Sequence, residues 1–164
     1  MIRRAFVVIV CVFLTGTLFA QTKSPVEGVW RVAEIVTTGA NAVNNSKPQP
    51  GLWIFTRGYY SQVIINGTQP RRTVEYKVPN QPTDAEKLAR YEQWQPFAAN
   101  SGTYDVKGST LTRRPTVAKN VEVMTGPPIT SEFKIEGNNT LWLITKSAPG
   151  EPAGETRTRL TRVE

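Results

Sequence analysis

The sequence predicts an all-β protein, an antiparallel up-and-down β-barrel of about 8–10 strands with one short helix. Three observations lead there. Short runs rich in Val, Ile, Thr, Tyr, Phe and Trp recur along the chain, each bounded by Gly, Pro or Asn, and such runs fit a pleated, half-buried surface. Neighbouring runs are mostly joined by short turns, so they pair as hairpins. Only one segment carries a helix-start signal. Open strand edges invite aggregation, and rolling a meander into a tube removes them.

The N-terminal stretch stands apart. Arg3 and Arg4 precede an apolar run from Ala5 to Leu14, and a small, mildly polar segment ends Leu18-Phe19-Ala20. This is the layout of a secretory signal peptide cleaved after Ala20. The apolar run is shorter than the roughly 20 residues a spanning helix requires. The expected organisation is a signal peptide at 1–20, a polar leader at 21–25 and one barrel domain at 26–164. The expected location is periplasmic or secreted, with no stable membrane insertion after cleavage.

Gly28 to Thr37 reads as the first strand. Gly39 to Pro50 is rich in Asn, Gly and Pro and reads as a loop. It exceeds the usual connection of about 4–6 residues, long enough to lie over a barrel mouth. Leu52 to Thr56 and Tyr59 to Ile65 form a hairpin about Arg57-Gly58, where Gly58 supplies a positive φ. Arg72 to Val78 reads as a moderate strand between prolines. Thr83-Asp84-Ala85-Glu86 is a capping box that opens the helix, and Pro96 ends it. That helix is expected to pack on the sheet or cover one end. Thr103 to Lys107 and Thr110 to Arg113 form a second hairpin, with Tyr104, Val106 and Leu111 on one face. A weaker strand is expected at Ala118 to Met124. Ser131 to Glu136 and Thr140 to Thr145 form a third hairpin, and Thr156 to Val163 is the closing strand.

The chain has no histidine, and its one cysteine, Cys11, falls in the signal. This excludes from the exported domain imidazole bases, thiolate nucleophiles, disulfides and Cys/His zinc sites. No metal or cofactor is expected. Loss of Arg3 and Arg4 with the signal lowers the formal charge from +7 to about +5. The basic residues are dispersed, without the long run that marks a nucleic-acid tail, so no nucleic-acid partner is expected.

Several blocks carry a family resemblance. Gly28-Val29-Trp30 resembles the Gly-x-Trp signature of lipocalins. Gly51 to Ser61, with Gly58-Tyr59-Tyr60-Ser61, and Phe97 to Val106, with Ser101-Gly102-Thr103-Tyr104, resemble blocks of the short bacterial lipocalin-like domains. Leu160 to Val163 is similar to their closing strand. The Pro-rich segment from Gln69 to Thr83 and the lack of a cysteine pair depart from the lipocalin pattern. The resemblance implies a barrel closed at one end, with Trp30 packed there beneath Arg162 in a structural cation–π stack.

Three functions follow as expectations. The first is binding of a small hydrophobic or amphipathic ligand in the barrel interior, by a monomer or weak homo-oligomer. Trp53, Phe55, Tyr59, Tyr76, Tyr104 and Trp142 are the candidate lining, and each has the alternative of filling core. Leu52/Ile54 and Trp53/Phe55 are both apolar, so alternation alone leaves the inner set open. Arg72 and Arg113 are read as surface residues, with a ligand carboxylate as the alternative partner. The second is a cofactor-independent cyclase or isomerase, for which Glu34 is the weak catalytic candidate because it shares parity with Trp30 and Val32. The third is a basic envelope interaction protein with a filled barrel.

Overall fold

The computed structural model describes residues 23–40, 42–147, 150 and 152–164, and the expected signal peptide at 1–20 lies outside the described residues. Among the described residues the strands are β1 (Gly28–Thr37), β2 (Val43–Asn45), β3 (Gly51–Thr56), β4 (Tyr59–Ile65), β5 (Phe97–Lys107), β6 (Thr110–Ala118), β7 (Ile129–Glu136), β8 (Thr140–Lys146) and β9 (Glu155–Arg162), with helices α1 (Asp84–Trp94) and α2 (Val121–Thr125). The sheet runs β1-β3-β4-β5-β6-β7-β8-β9, every pair antiparallel, and β9 returns to β1. This is a closed eight-stranded up-and-down barrel, with β2 as an extra strand on the far half of β1.

One end of the tube is made of tight turns and both chain ends. The β3–β4 turn places Arg57 at φ 45° and Gly58 at φ 82°, the paired positive values of a two-residue hairpin turn. Here Trp30 is fully buried among Leu111, Leu141 and Leu160. Its indole N–H donates to the Val26 carbonyl at 2.8 Å. The Arg162 guanidinium lies 4.0 Å from the Trp30 ring centroid and donates from Nη1 to the Glu27 carbonyl at 2.9 Å and from Nε to the Asn138 carbonyl at 2.8 Å. Gly28 makes room for this stack: at φ 143°, a Cβ would fall 2.3 Å from Arg162 Nη1.

The other end carries the long connections 38–50, 66–96, 119–128 and 147–154. α1 belongs to the second of these. Its capping box is complete, with the Thr83 hydroxyl accepting from the Glu86 N–H and the Glu86 carboxylate accepting from the Thr83 N–H. Hydrogen bonds from the Lys77 N–H, the Thr83 N–H and the Thr83 hydroxyl hold the Glu86 carboxyl below its ordinary pKa. α1 buries no residue, and Leu88 and Tyr91 face outward. Polar tethers hold it instead: Arg90 donates to the Val74 carbonyl at 2.8 Å, Gln93 to the Arg72 carbonyl at 2.5 Å, and Lys119 to the Trp94 carbonyl.

Three expectations about elements need correction. Arg72 to Val78 is not a strand. The segment lies outside the barrel and is tied to α1 instead, where its Arg72 and Val74 carbonyls accept from Gln93 and Arg90. Ala118 to Met124 is not a strand either: β6 ends at Ala118, and the short helix α2 follows. The strand expected to begin at Thr103 begins at Phe97, because Phe97 to Asn100 pair with Gln62 to Ile65 of β4.

Truncation of the buried indole removes the centre of the closed end. Trp30→Ala should destabilise the protein by about 3–5 kcal/mol, read as a lower urea midpoint. An unchanged midpoint would show that this ring does not organise the closed end.

Candidate functional site

Strand alternation now resolves which side chains point into the tube. On β3, Trp53 and Phe55 are buried while Leu52 is 40% exposed, so the aromatic pair faces inward. Tyr60 and Gln62 of β4, Tyr104 of β5, Leu111 and Arg113 of β6, Ser131 of β7, and Leu141 and Leu143 of β8 are the buried positions of their strands. Phe55 packs on Trp53 and Tyr60 with centroids 5.9 and 6.3 Å away, and edge-on against Tyr104 at 5.2 Å. Such aromatic contacts add about 0.5–1.5 kcal/mol each beyond the area they bury.

Set into this aromatic interior is a cation. Arg113 is 4% exposed. Its guanidinium carbon lies 4.7 Å from the Trp53 centroid and 5.8 Å from that of Tyr60. Nη1 donates to Gln62 Oε1 at 3.0 Å, and Nη2 donates to Ser131 Oγ at 3.3 Å. Ser131 in turn shares a 2.7 Å hydrogen bond with Thr145, and the Tyr60 hydroxyl donates to Asn100 Oδ1 at 2.7 Å. Among the described residues, no carboxylate forms an ion pair with Arg113, and two neighbouring N–H donors, Arg113 Nε and Trp53 Nε1, have no hydrogen-bond partner. Burial pulls the Arg113 guanidinium down to about 10, against a smaller opposing influence from Tyr60. Burial pushes the Tyr60 phenol up, and the nearby guanidinium offsets part of that rise.

The interior changes character along its axis. Towards the turn end the inward residues are apolar and sealed. Towards the long loops, Ile35, Thr37, Ile64, Asn100, Thr145 and Thr158 are only half-buried. Arg113, Gln62, Ser131 and Tyr60 form the layer between these two halves. The Arg113 position was within reach of sequence reasoning: Leu111 shares a face with Tyr104 and Val106, and Arg113, two residues on, shares it too. Ser131 shares parity with Phe133 and Ile135 in the same way, whereas Tyr60 and Gln62 were not legible, because Tyr59 to Ile65 carries apolar residues on both faces.

No family model and no curated protein matches the chain. Among solved structures, it is similar to an uncharacterized protein from Bacteroides eggerthii DSM 20697, at a TM-score of 0.43 and 9% identity over 83% of this chain and 98% of that one. It is also similar to a redesigned β-barrel, at a TM-score of 0.43 and 10% identity over 85% of this chain and 93% of that one.

The candidate lining divides. Trp53, Phe55 and Tyr104 meet in the interior. Tyr59 does not join them: it opens β4 on the outer parity and is 63% exposed. Trp142 sits between the buried Leu141 and Leu143, so it faces outward; its N–H donates to Glu136 at 3.1 Å, and Arg159 lies 5.9 Å from its centroid. Tyr76 lies in the irregular segment outside the barrel, beneath Arg90 at 5.3 Å. Glu34 is also corrected. The ladder to β9 shifts between Val32 and Glu34, so Ala33 is an extra residue and the parity reverses. Ile35 turns inward, and Glu34 turns outward to pair with Arg159 at 2.9 Å. Arg72 is exposed, as read; Arg113 is not.

A cleft of about 540 Å³ lies outside the tube between α1 and residues 66–72, where Arg71 already stacks on Trp94 and Phe97. Its walls include no inward-facing barrel residue. Among the described residues, no group of three or more Asp, Glu, His or Cys side chains is placed to hold a metal.

The phenols give a direct optical check of this interior. Tyr60 and Tyr104 both titrate above the ordinary tyrosine value because burial disfavours the phenolate. An unfolded chain therefore loses these protons first, and their contribution to stability declines as pH rises past the ordinary value. In a phenolate absorbance titration of the folded protein, Tyr60→Phe should remove a late-ionising component. Loss of an early component instead would place Tyr60 in solvent.

Proposed function

We propose that this is an exported, lipocalin-like protein that holds a small hydrophobic or amphipathic ligand in the mouth half of its barrel. One observation carries the reading: the interior is sealed and apolar below the Arg113 layer but half-buried and mixed above it, at the end framed by the long loops. Small eight-stranded barrels are filled by side chains or hold one small guest. Here the filled part ends at a polar floor. A guest above that floor would bury its apolar surface against Ile35 and Ile64 and orient on a few polar tips, the usual composition of small-ligand sites.

The signal-like segment at 1–20 supports a periplasmic or secreted location, where a carrier would meet ligands crossing the envelope. A catalytic role for Glu34 has less support, because a carboxylate paired with Arg159 on the outer wall has no access to an interior guest.

Nile red, a neutral fluorophore, tests the site without appeal to charge. The protein should bind it saturably with one dye per chain. Ile64→Trp, which fills the mouth, should weaken binding by about tenfold or more, equivalent to about 1.4 kcal/mol, with little change in unfolding midpoint. Binding that is absent, or indifferent to the filled mouth, would remove the proposal.

A further inference from the structure

We propose that Arg113 is the receptor for the head group of this ligand, and that the preferred class is monocarboxylic acids with an apolar tail; this rests on the mouth-half reading above. The guanidinium is a full positive charge buried beside the Trp53 and Tyr60 rings, and its two hydrogen-bond partners, Gln62 and Ser131, are neutral. A desolvated cation without a counter-charge is held against a desolvation penalty. The unsatisfied groups beside it, Arg113 Nε and Trp53 Nε1, are both donors. The complementary head group must therefore bring negative charge and acceptor atoms. A carboxylate does both, and its planar pair of oxygens matches the guanidinium fork.

The charge count narrows the class further. One interior guanidinium balances one negative charge, whereas a doubly charged head such as phosphate would leave a buried excess. Polarity along the tube fixes orientation. The acid group sits on the Arg113 layer, where Trp53 and Tyr60 wall the guanidinium, and the tail runs past Ile64 and Ile35 towards the loops. The sealed Leu111, Leu141 and Leu160 end leaves no room for the reverse orientation.

The test is calorimetric titration of the full exported chain at neutral pH and low salt with octanoate, octan-1-ol and octyl phosphate, on wild type and Arg113→Met. Wild type should bind octanoate about tenfold or more tighter than octan-1-ol, and octyl phosphate should be weaker than octanoate. Arg113→Met should lose the preference for the acid while keeping the alcohol, and its unfolding midpoint should not fall, because a lone buried charge has been removed. Equal binding of acid and alcohol by wild type overturns the Arg113 assignment and leaves the mouth-half reading standing. Binding of neither overturns both. A preference that survives in Arg113→Met places the anion elsewhere, and tighter binding of octyl phosphate overturns the carboxylate class. If Arg113→Met does not fold, Arg113→Gln serves with the same readouts, and the wild-type acid-to-alcohol ratio decides without either variant.

Discussion

The seam between β1 and β9 is the constraint on which the rest of the structure depends. The two strands pair from Trp30↔Arg162 to Thr37↔Thr156, and this single ladder turns a meander into a tube. Once it forms, both edges of every barrel strand are hydrogen-bonded along their shared lengths, and each strand has an inside and an outside. The seam also brings Arg162 over Trp30, because the end of β9 meets the beginning of β1. Backbone pairing and the closed-end stack are thus two results of the same closure.

Closure sets a geometric cost that the chain meets locally. The seam carries one extra residue on β1, Ala33, and β5 and β6 shift register between Ser101 and Gly102. Bulges of this kind bend a strand and increase its twist, which a small barrel needs. At Gly102 the approach is so close that a Cβ would meet the Arg114 carbonyl at 2.0 Å. The first bulge decides chemistry as well as shape. It turns Glu34 from the tube to the outer wall, where Glu34, Arg159 and Trp142 form a surface group. Partly exposed pairs of this type contribute at most about 1 kcal/mol.

The interior divides into a part that stabilises and a part that costs stability. The closed end packs Trp30, Phe55, Leu111, Leu141 and Leu160 without exposure to water beyond about one per cent, and burying each such side chain contributes about 1.5–3 kcal/mol. The layer above holds a guanidinium at a penalty of several kcal/mol, moderated by two neutral acceptors and two aromatic faces. Such a charge is retained against the trend of core packing, and sites that work against stability concentrate where a protein meets its ligand. The helix α1, tied on by polar bonds and burying nothing, leaves the mouth side of the molecule the less consolidated end.

The sequence by itself determined the class of fold, the hairpins and the capped helix, because these rest on local signals: β-branched and aromatic runs, a positive-φ glycine at Gly58, the Thr83–Glu86 box. It also held the inward parity of β6, since Leu111 and Arg113 lie two residues apart. Only the tertiary structure decided what depends on neighbours distant in the chain. Leu52/Ile54 and Trp53/Phe55 are equally apolar, so their facing was settled by where the tube closed. Glu34 and Trp142 went outward through a bulge and a register invisible to local pattern. Arg72 to Val78 had strand-forming residues but tied its carbonyls to α1. Hydrophobic periodicity reports how one strand alternates, whereas the pairing of first strand with last, across more than a hundred residues, fixes which alternate is the inside.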